Sequence, residues 1–230
     1  MTGLQLPAEQ GTRAGGVALT GGAVVLLAAN AAFPRAADPW DVPTVLMMMV
    51  DDRVLRQISF LAVTAGLWAV TAGLLSLDRW LQDDAPWARL ARHLAVVGVT
   101  LFTAASALGM AATGAAVEWV AAGAEPAGPE YAVAAALNRA DDAVWFLSIV
   151  AYWGALALYG LAMIRSATVP RWLGAWILVI GTITALLVGL PLAVGIEAPA
   201  LLVAFGVLGG LTTLWALVLG LWTLRAARTR

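Results

Sequence analysis

Two apolar segments without a charged residue, 143–164 and 172–194, most constrain what this chain can fold into. As a helix rising about 1.5 Å per residue, each is long enough to cross a hydrocarbon core of about 30 Å. The short insert between them carries Arg165 and Arg171, and it places Pro170 where a proline can begin a new helix. The two segments therefore predict a hairpin of two membrane-spanning helices.

The composition supports a membrane protein as well. Hydrophobic residues make up 62% of the chain and charged residues only 12%, whereas about 25% of the residues of a soluble domain are charged. A soluble domain of this length needs a polar shell that this composition does not supply. We therefore expect an all-α, polytopic integral membrane bundle that forms one domain over residues 1–230.

Four further apolar segments bring the number of predicted transmembrane helices to six. The predicted spans are approximately 14–33, 58–77, 94–117, 143–164, 172–194 and 200–224. The first span resembles a signal peptide, but it is too long for a typical hydrophobic region of one, so we expect a retained helix while cleavage stays open. The motif Gly206-x-x-x-Gly210 predicts a close helix contact in the sixth span.

A mixed segment separates the first two spans. Pro43 followed by Thr-Val-Leu-Met-Met-Met-Val predicts a short helix at the interface, whose Leu and Met side chains touch lipid or the bundle. The three methionines could suggest a soft-metal site, but consecutive helical residues point about 100° apart and do not converge. Packing against lipid is the preferred interpretation.

The arginines predict an orientation. If both termini are cytoplasmic, nine of the thirteen arginines lie on the cytoplasmic side and four on the other side. This distribution follows the excess of positive charge that cytoplasmic loops usually carry. We expect both termini in the cytoplasm.

Several absences exclude whole classes of chemistry. The chain has no cysteine and no lysine, which excludes disulfides, thiolate metal sites and a retinal-type Schiff base. His93 is the single histidine, so one chain cannot supply the paired haem ligands of a membrane cytochrome b. The net charge of −1 points to no nucleic-acid partner. We expect no metal and no cofactor.

Two acidic pairs are the best candidates for a functional site. Asp51 and Asp52 precede the second span, and Asp141 and Asp142 precede the fourth. Together they could form an electronegative outer mouth that attracts cations. The competing interpretation is structural, because an acidic residue at a helix N-terminus is stabilised by the helix dipole by about 0.3–1 kcal/mol. Nearby arginines would partly neutralise such a mouth; these are Arg53, Arg56 and Arg139.

The acidic pairs are also separated by ninety residues, and Pro39 and Pro129 have the same separation. A duplication of helix pairs would produce this spacing, and so would coincidence. Both explanations stay open.

Two tyrosines and the single histidine are further polar candidates for a site. Tyr152 and Tyr159 lie two turns apart on one helix face, so they could line a cavity or form ordinary hydrogen bonds between helices. His93 at the start of the third span is interpreted as an interfacial residue, with a base or ligand role as the alternative.

The hairpin turn resembles a known family. The residues Arg165, Ser166, Pro170, Arg171 and Gly174 match a turn of the form R-S-x-x-x-P-R-x-L-G, which follows an aromatic- and leucine-rich span. Over residues 143–192 the chain is similar to a widespread bacterial family of small multi-span membrane proteins of unknown function. The resemblance implies a six-span fold in a prokaryotic plasma membrane, and it implies no activity. A basic turn with a proline is also what topology alone requires.

These observations favour a non-enzymatic protein. We expect an accessory or assembly subunit, or a protein that binds an apolar ligand within the helix bundle. Its partners would then be the lipid bilayer and an apolar ligand or another membrane protein. The alternative is an ion or small-solute channel or transporter with the acidic outer mouth. An intramembrane enzyme that uses His93 is a third hypothesis.

Overall fold

The computed structural model describes residues 8–36, 38–77, 81 and 86–228. Within these ranges the chain forms seven helices and no strands. They are α1 (Ala8–Ala32), α2 (Val42–Asp51), α3 (Arg53–Ser76), α4 (Pro86–Ala121), α5 (Pro129–Arg165), α6 (Arg171–Ala193) and α7 (Pro199–Ala226). Every one except α2 is long and apolar enough to cross a membrane. The predicted all-α fold is therefore confirmed, and the six long apolar helices agree with a multi-pass membrane protein.

Helices α4 and α5 extend well beyond the predicted spans. They contain 36 and 37 residues, or about 54–55 Å at about 1.5 Å per residue, against a hydrocarbon core of about 30 Å. The predicted spans leave residues 129–142 in a loop, but the structure shows that this stretch is helical. It is helical because Pro129 starts the helix and the alanine-rich sequence after it favours helix.

The short helix α2 packs on the extended part of α4 and α5. Leu46 and Met49 are fully buried there against small side chains of both helices, among them Ala112 and Ala134. Met47 is 40% exposed. The neighbouring methionines therefore point in different directions, as the helical spacing predicts.

Glycines hold neighbouring helices in close antiparallel pairs. A Cβ added to Gly22 of α1 would lie 2.7 Å from the carbonyl oxygen of Gly66 in α3, and one added to Gly73 would lie 2.9 Å from that of Gly15. In the pair α4–α5, a Cβ on Gly98 would lie 2.7 Å from the backbone nitrogen of Tyr152. Such contacts are possible only where the residue has no side chain.

Helix α7 packs differently from the expectation. Gly206 and Gly210 have no neighbouring atom within 4 Å of a built Cβ, so the predicted contact motif does not meet another helix among the described residues. The contact to α1 lies closer to the end of α7, where a Cβ on Gly220 would lie 2.8 Å from the backbone nitrogen of Thr20.

The six spans divide into two halves. In one set, α1 packs extensively against both α3 and α7. In the other set, α5 packs extensively against both α4 and α6. We call these sets the first half and the second half. Because successive spans are antiparallel, the start of α1 and the end of α7 lie at the same end of the bundle, which we call the terminal end.

Candidate functional sites at the seam and in a lipid-facing groove

Side-chain hydrogen bonds cross the boundary between the halves, which we call the seam. Five of them join a helix of one half to a helix of the other. They are Thr64 to Ser106 (3.0 Å), Trp68 to Thr103 (3.0 Å), Thr71 to Tyr152 (3.2 Å), Trp153 to Thr212 (3.0 Å) and Trp215 to the carbonyl oxygen of Leu173 (2.9 Å). The halves therefore meet through directional polar contacts, in addition to apolar packing.

Arg56 lies on the seam, on the side away from the terminal end. It is in the second turn of α3 and only 6% exposed. Its guanidinium carbon is 5.3 Å from the ring centre of Phe33 and 4.9 Å from that of Phe60, so it lies over two aromatic faces. Its Nε has no hydrogen-bond partner among the described residues. A buried cation with an unused donor is rare unless it has charged neighbours.

Asp141 and Asp142 of α5 are those charged neighbours, and both interact electrostatically with Arg56. Asp141 is 8% exposed, and its Oδ2 would lie 2.8 Å from a Cβ built on Gly109 of α4. The same Cβ would lie 2.6 Å from Cζ of Phe60. The absence of a side chain at Gly109 therefore makes room for both the carboxylate and the ring that Arg56 contacts.

Asp142 faces a slightly different environment. Asn138, which is 4% exposed, donates a hydrogen bond of 3.3 Å from Nδ2 to Oδ2 of Asp142. Glu197, in the connection between α6 and α7, interacts electrostatically with the same carboxylate. Arg56, Asp141, Asp142 and Asn138 are called the charged cluster below.

The other predicted acidic pair is placed differently. Asp51 is the last residue of α2 and Asp52 lies between α2 and α3, and both side chains are exposed. Asp141 and Asp142 lie in the interior of α5, with Asp141 buried. The two pairs thus occupy unlike positions, one at a helix junction and the other within a continuous helix.

The two tyrosines lie in the main hydrophobic core. Tyr152 is 2% exposed and Tyr159 is fully buried. Thr71 already donates to the carbonyl oxygen of Leu67 at 2.8 Å, so the Tyr152 hydroxyl is the donor in the bond that joins them. This bond links α3 to α5 across the seam.

The turn between α5 and α6 is held by local hydrogen bonds. Arg165 ends α5 and Arg171 begins α6, directly after Pro170. The buried Ser166 accepts a bond of 3.2 Å from the backbone nitrogen of Thr168, and the two hydroxyls lie 2.7 Å apart. Gly174, one turn into α6, lies against Gly160 of α5.

A second candidate site is an apolar groove on the outside of the first half. It has a volume of about 310 Å³ and lies between α1 and α3. Its lining side chains are all small or β-branched: Val17, Ala18, Gly21, Gly22 and Val25 from α1, and Ala65, Gly66 and Ala69 from α3. We call it the α1–α3 groove.

The described residues do not form a set of side chains that could hold a metal ion. No three His, Asp or Glu side chains among them come together as a ligand set. The exposed His93 begins the apolar part of α4. Neither candidate site therefore contains three metal-ligating side chains of these types.

Sequence reasoning missed the burial of Arg56 and the α1–α3 groove. Arg56 stands among charged residues at a span boundary, where arginines are usually exposed, and only its spacing of four residues from Phe60 hinted at a buried face. The groove depends on small residues of two distant segments. Its one sequence signal was the pair Gly21-Gly22 within an apolar helix.

Comparison with protein-family models, with curated proteins and with solved structures gave no match.

Proposed function

We propose that this is a non-enzymatic multi-pass membrane protein that binds an apolar chain in the α1–α3 groove, in the role of an accessory or assembly subunit. The groove itself is the observation that carries the proposal. Its volume of about 310 Å³ is at the lower end of the range of about 300–1,000 Å³ that ligand sites occupy. Its wall carries only aliphatic side chains and glycines, so an acyl or similar hydrocarbon chain is the matching ligand class.

Gly21 supports the proposal because its position is open. A Cβ built there has no neighbour within 4 Å, whereas one built on the adjacent Gly22 would lie 2.7 Å from the carbonyl oxygen of Gly66. Gly22 thus sets the close approach of the two helices, and Gly21 leaves the space beside them unfilled. Two adjacent glycines together produce the groove.

We also propose a prokaryotic plasma membrane as the location, with the terminal end in the cytoplasm. The described arginines toward that end of their helices are Arg13, Arg89, Arg92, Arg165, Arg171 and Arg225, and Arg228 follows the end of α7. This arrangement agrees with the positive charge of cytoplasmic loops.

The groove can be filled without disturbing the fold. Gly21→Leu places an isobutyl group in open space, and Gly210→Leu on α7 is the matched control, because its position is equally open and lies outside the groove. Each purified variant would be incubated with a phospholipid that carries a photoactivatable diazirine in its acyl chain. Peptide mass spectrometry should find labelling on α1 and α3 that Gly21→Leu removes and Gly210→Leu keeps. Equal labelling of all three proteins would contradict the proposal.

Transport of cations is the second candidate function, and the charged cluster favours it. A buried arginine beside two carboxylates at the boundary of two helix sets is typical of coupled transport pathways. The seam supplies a polar boundary along which the halves could move relative to each other. The charged cluster would then be the cation site. A cation would reach it from the end of the bundle that lies opposite the terminal end.

Reconstituted vesicles with trapped fluorescent indicators for H⁺, Na⁺ and K⁺ test this alternative. Cation flux should be lost in Asp141→Asn and retained in Asp51→Asn, because Asp141 is buried beside Arg56 and Asp51 is exposed. A wild-type protein that gives no flux above that of empty vesicles would exclude the second function.

A further inference from the structure

We infer that the α1–α3 groove selects an anionic phospholipid, with the acyl chain in the groove and the phosphate headgroup beside Arg13. This inference rests on the proposed function, because it assigns the headgroup of the lipid whose chain fills the groove. It is carried by the position of Arg13 on α1 and by the spacing between this arginine and the groove. The occupant is a phospholipid of the leaflet at the terminal end.

Arg13 stands at one end of the groove. It is exposed and lies one turn before Val17, the first lining residue of α1, which corresponds to about 6 Å along the helix. The residues of α1 between Arg13 and Val17 are Ala14, Gly15 and Gly16. No bulky side chain of α1 therefore separates the arginine from the groove.

The spacing fits one leaflet. Arg13 and Val25, the last lining residue of α1, are twelve residues apart, or about 18 Å along the helix. Half of a hydrocarbon core is about 15 Å. A lipid whose phosphate lies at the level of Arg13 would therefore extend its acyl chain through the groove to about the middle of the bilayer.

The surrounding charge has the sign that an anionic headgroup needs. A Cβ on Gly16 of α1 would lie 2.8 Å from Leu224 of α7, so the end of α7 lies beside the start of α1. Arg225 follows Leu224 directly, and Arg228 lies two residues beyond the end of α7. The terminal end of the bundle beside α1 is therefore basic, and basic residues at this level attract anionic lipid headgroups.

The test compares two lipids that differ only in their headgroups. Vesicles of phosphatidylcholine would contain a trace of acyl-diazirine phosphatidylglycerol or of acyl-diazirine phosphatidylcholine, with the full-length protein reconstituted in each. Because one arginine at an anionic surface favours binding by about fivefold, phosphatidylglycerol should label α1 and α3 about fivefold more than phosphatidylcholine. Arg13→Gln should make the two labelling yields equal, and Arg13→Lys should restore the difference. Arg139→Gln is the control, because it removes an exposed arginine from the part of α5 that lies away from the terminal end. This variant should keep the preference for phosphatidylglycerol.

The variants separate the two proposals. If Arg13→Gln retains the preference for phosphatidylglycerol, the headgroup assignment is wrong and the apolar site stands. If Gly21→Leu leaves the labelling by both lipids unchanged, the groove does not bind the chain and both proposals fall. We expect Gly21→Leu to lose labelling by both lipids. We expect Arg13→Gln to be labelled equally by phosphatidylglycerol and phosphatidylcholine.

Discussion

Gly160 of α5 and Gly174 of α6 touch backbone to backbone. A Cβ built on Gly160 would lie 2.6 Å from the carbonyl oxygen of Gly174, and one built on Gly174 would lie 2.7 Å from that of Gly160. Both values are shorter than real contacts of a Cβ atom, and the atoms that would have to move belong to helix backbones. This pair therefore fixes the distance between the two helices of the hairpin.

Gly174→Ala is expected to destabilise the protein by about 1–3 kcal/mol, because the added methyl group overpacks a contact that the backbones cannot relieve. Unfolding in mixed micelles with increasing SDS, followed by tryptophan fluorescence, measures the change. Gly154→Ala on α5 is the control, since a Cβ at this position has no neighbour within 4 Å. Its stability should stay the same or rise slightly. Equal destabilisation by both substitutions would contradict the assigned contact.

Removal of the Asp141 carboxylate is expected to leave Arg56 poorly compensated. Because Asp141 is 8% exposed and Arg56 6% exposed, Asp141→Asn removes one of the two charges that offset a buried guanidinium and should cost about 1–3 kcal/mol. The same substitution in an Arg56→Met background should cost at least about 1 kcal/mol less. A double-mutant cycle of unfolding free energies tests this, and additive costs would show that the two charges are not coupled.

The hydrogen bond from Tyr152 to Thr71 is expected to contribute about 0.6 kcal/mol, which is typical of such bonds in membrane bundles. Tyr152→Phe removes the donor and leaves the bond from Thr71 to Leu67 in place. Thr71→Val removes the acceptor and leaves a buried hydroxyl unpaired, so it should cost more than Tyr152→Phe. If Tyr152→Phe were the more damaging of the two, the direction of the bond would have to be reversed.

The absence of cysteine allows a clean test of topology, because a single introduced cysteine is the only thiol in the chain. Ala167 lies in the turn between α5 and α6, and Ala122 lies at the other end of the bundle; both are exposed. In intact spheroplasts a membrane-impermeant maleimide should label Ala122→Cys and leave Ala167→Cys unlabelled until the cells are broken. The reverse pattern would invert the proposed orientation.

The six spans could be predicted because each depends on a local property, which is a charge-free run of about twenty residues. The length of α5 could not, since Asp141 and Asp142 look like loop residues until Arg56 from α3 is known to lie beside them. Charges inside a long helix are tolerated when another segment supplies the opposite charge. The hydropathy of a segment does not show which residue of a distant segment will lie beside it.

The candidate sites show the same limit. Asp141 was predicted together with Asp51, Asp52 and Asp142 as part of an outer acidic mouth, and its burial depends on the missing side chain of Gly109 on α4. Gly206 and Gly210 match a contact motif, and yet no other described helix lies within 4 Å of a Cβ built on either, because α7 meets α1 further along, at Gly220. A motif of small residues permits close packing of a helix. Whether another helix packs there depends on how the rest of the bundle is arranged.

The division into halves has a consequence for biogenesis. Helices α4, α5 and α6 follow one another in the chain, so their half can assemble as soon as it leaves the ribosome. The first half must wait for α7, which contacts α1 and is synthesised last. At about 5–20 residues per second, the interval between the end of α1 and the start of α7 is on the order of ten to thirty seconds. Throughout that time the face of α1 that later meets Gly220 has no α7 to pack against, so the first half is completed only after the second half has been synthesised.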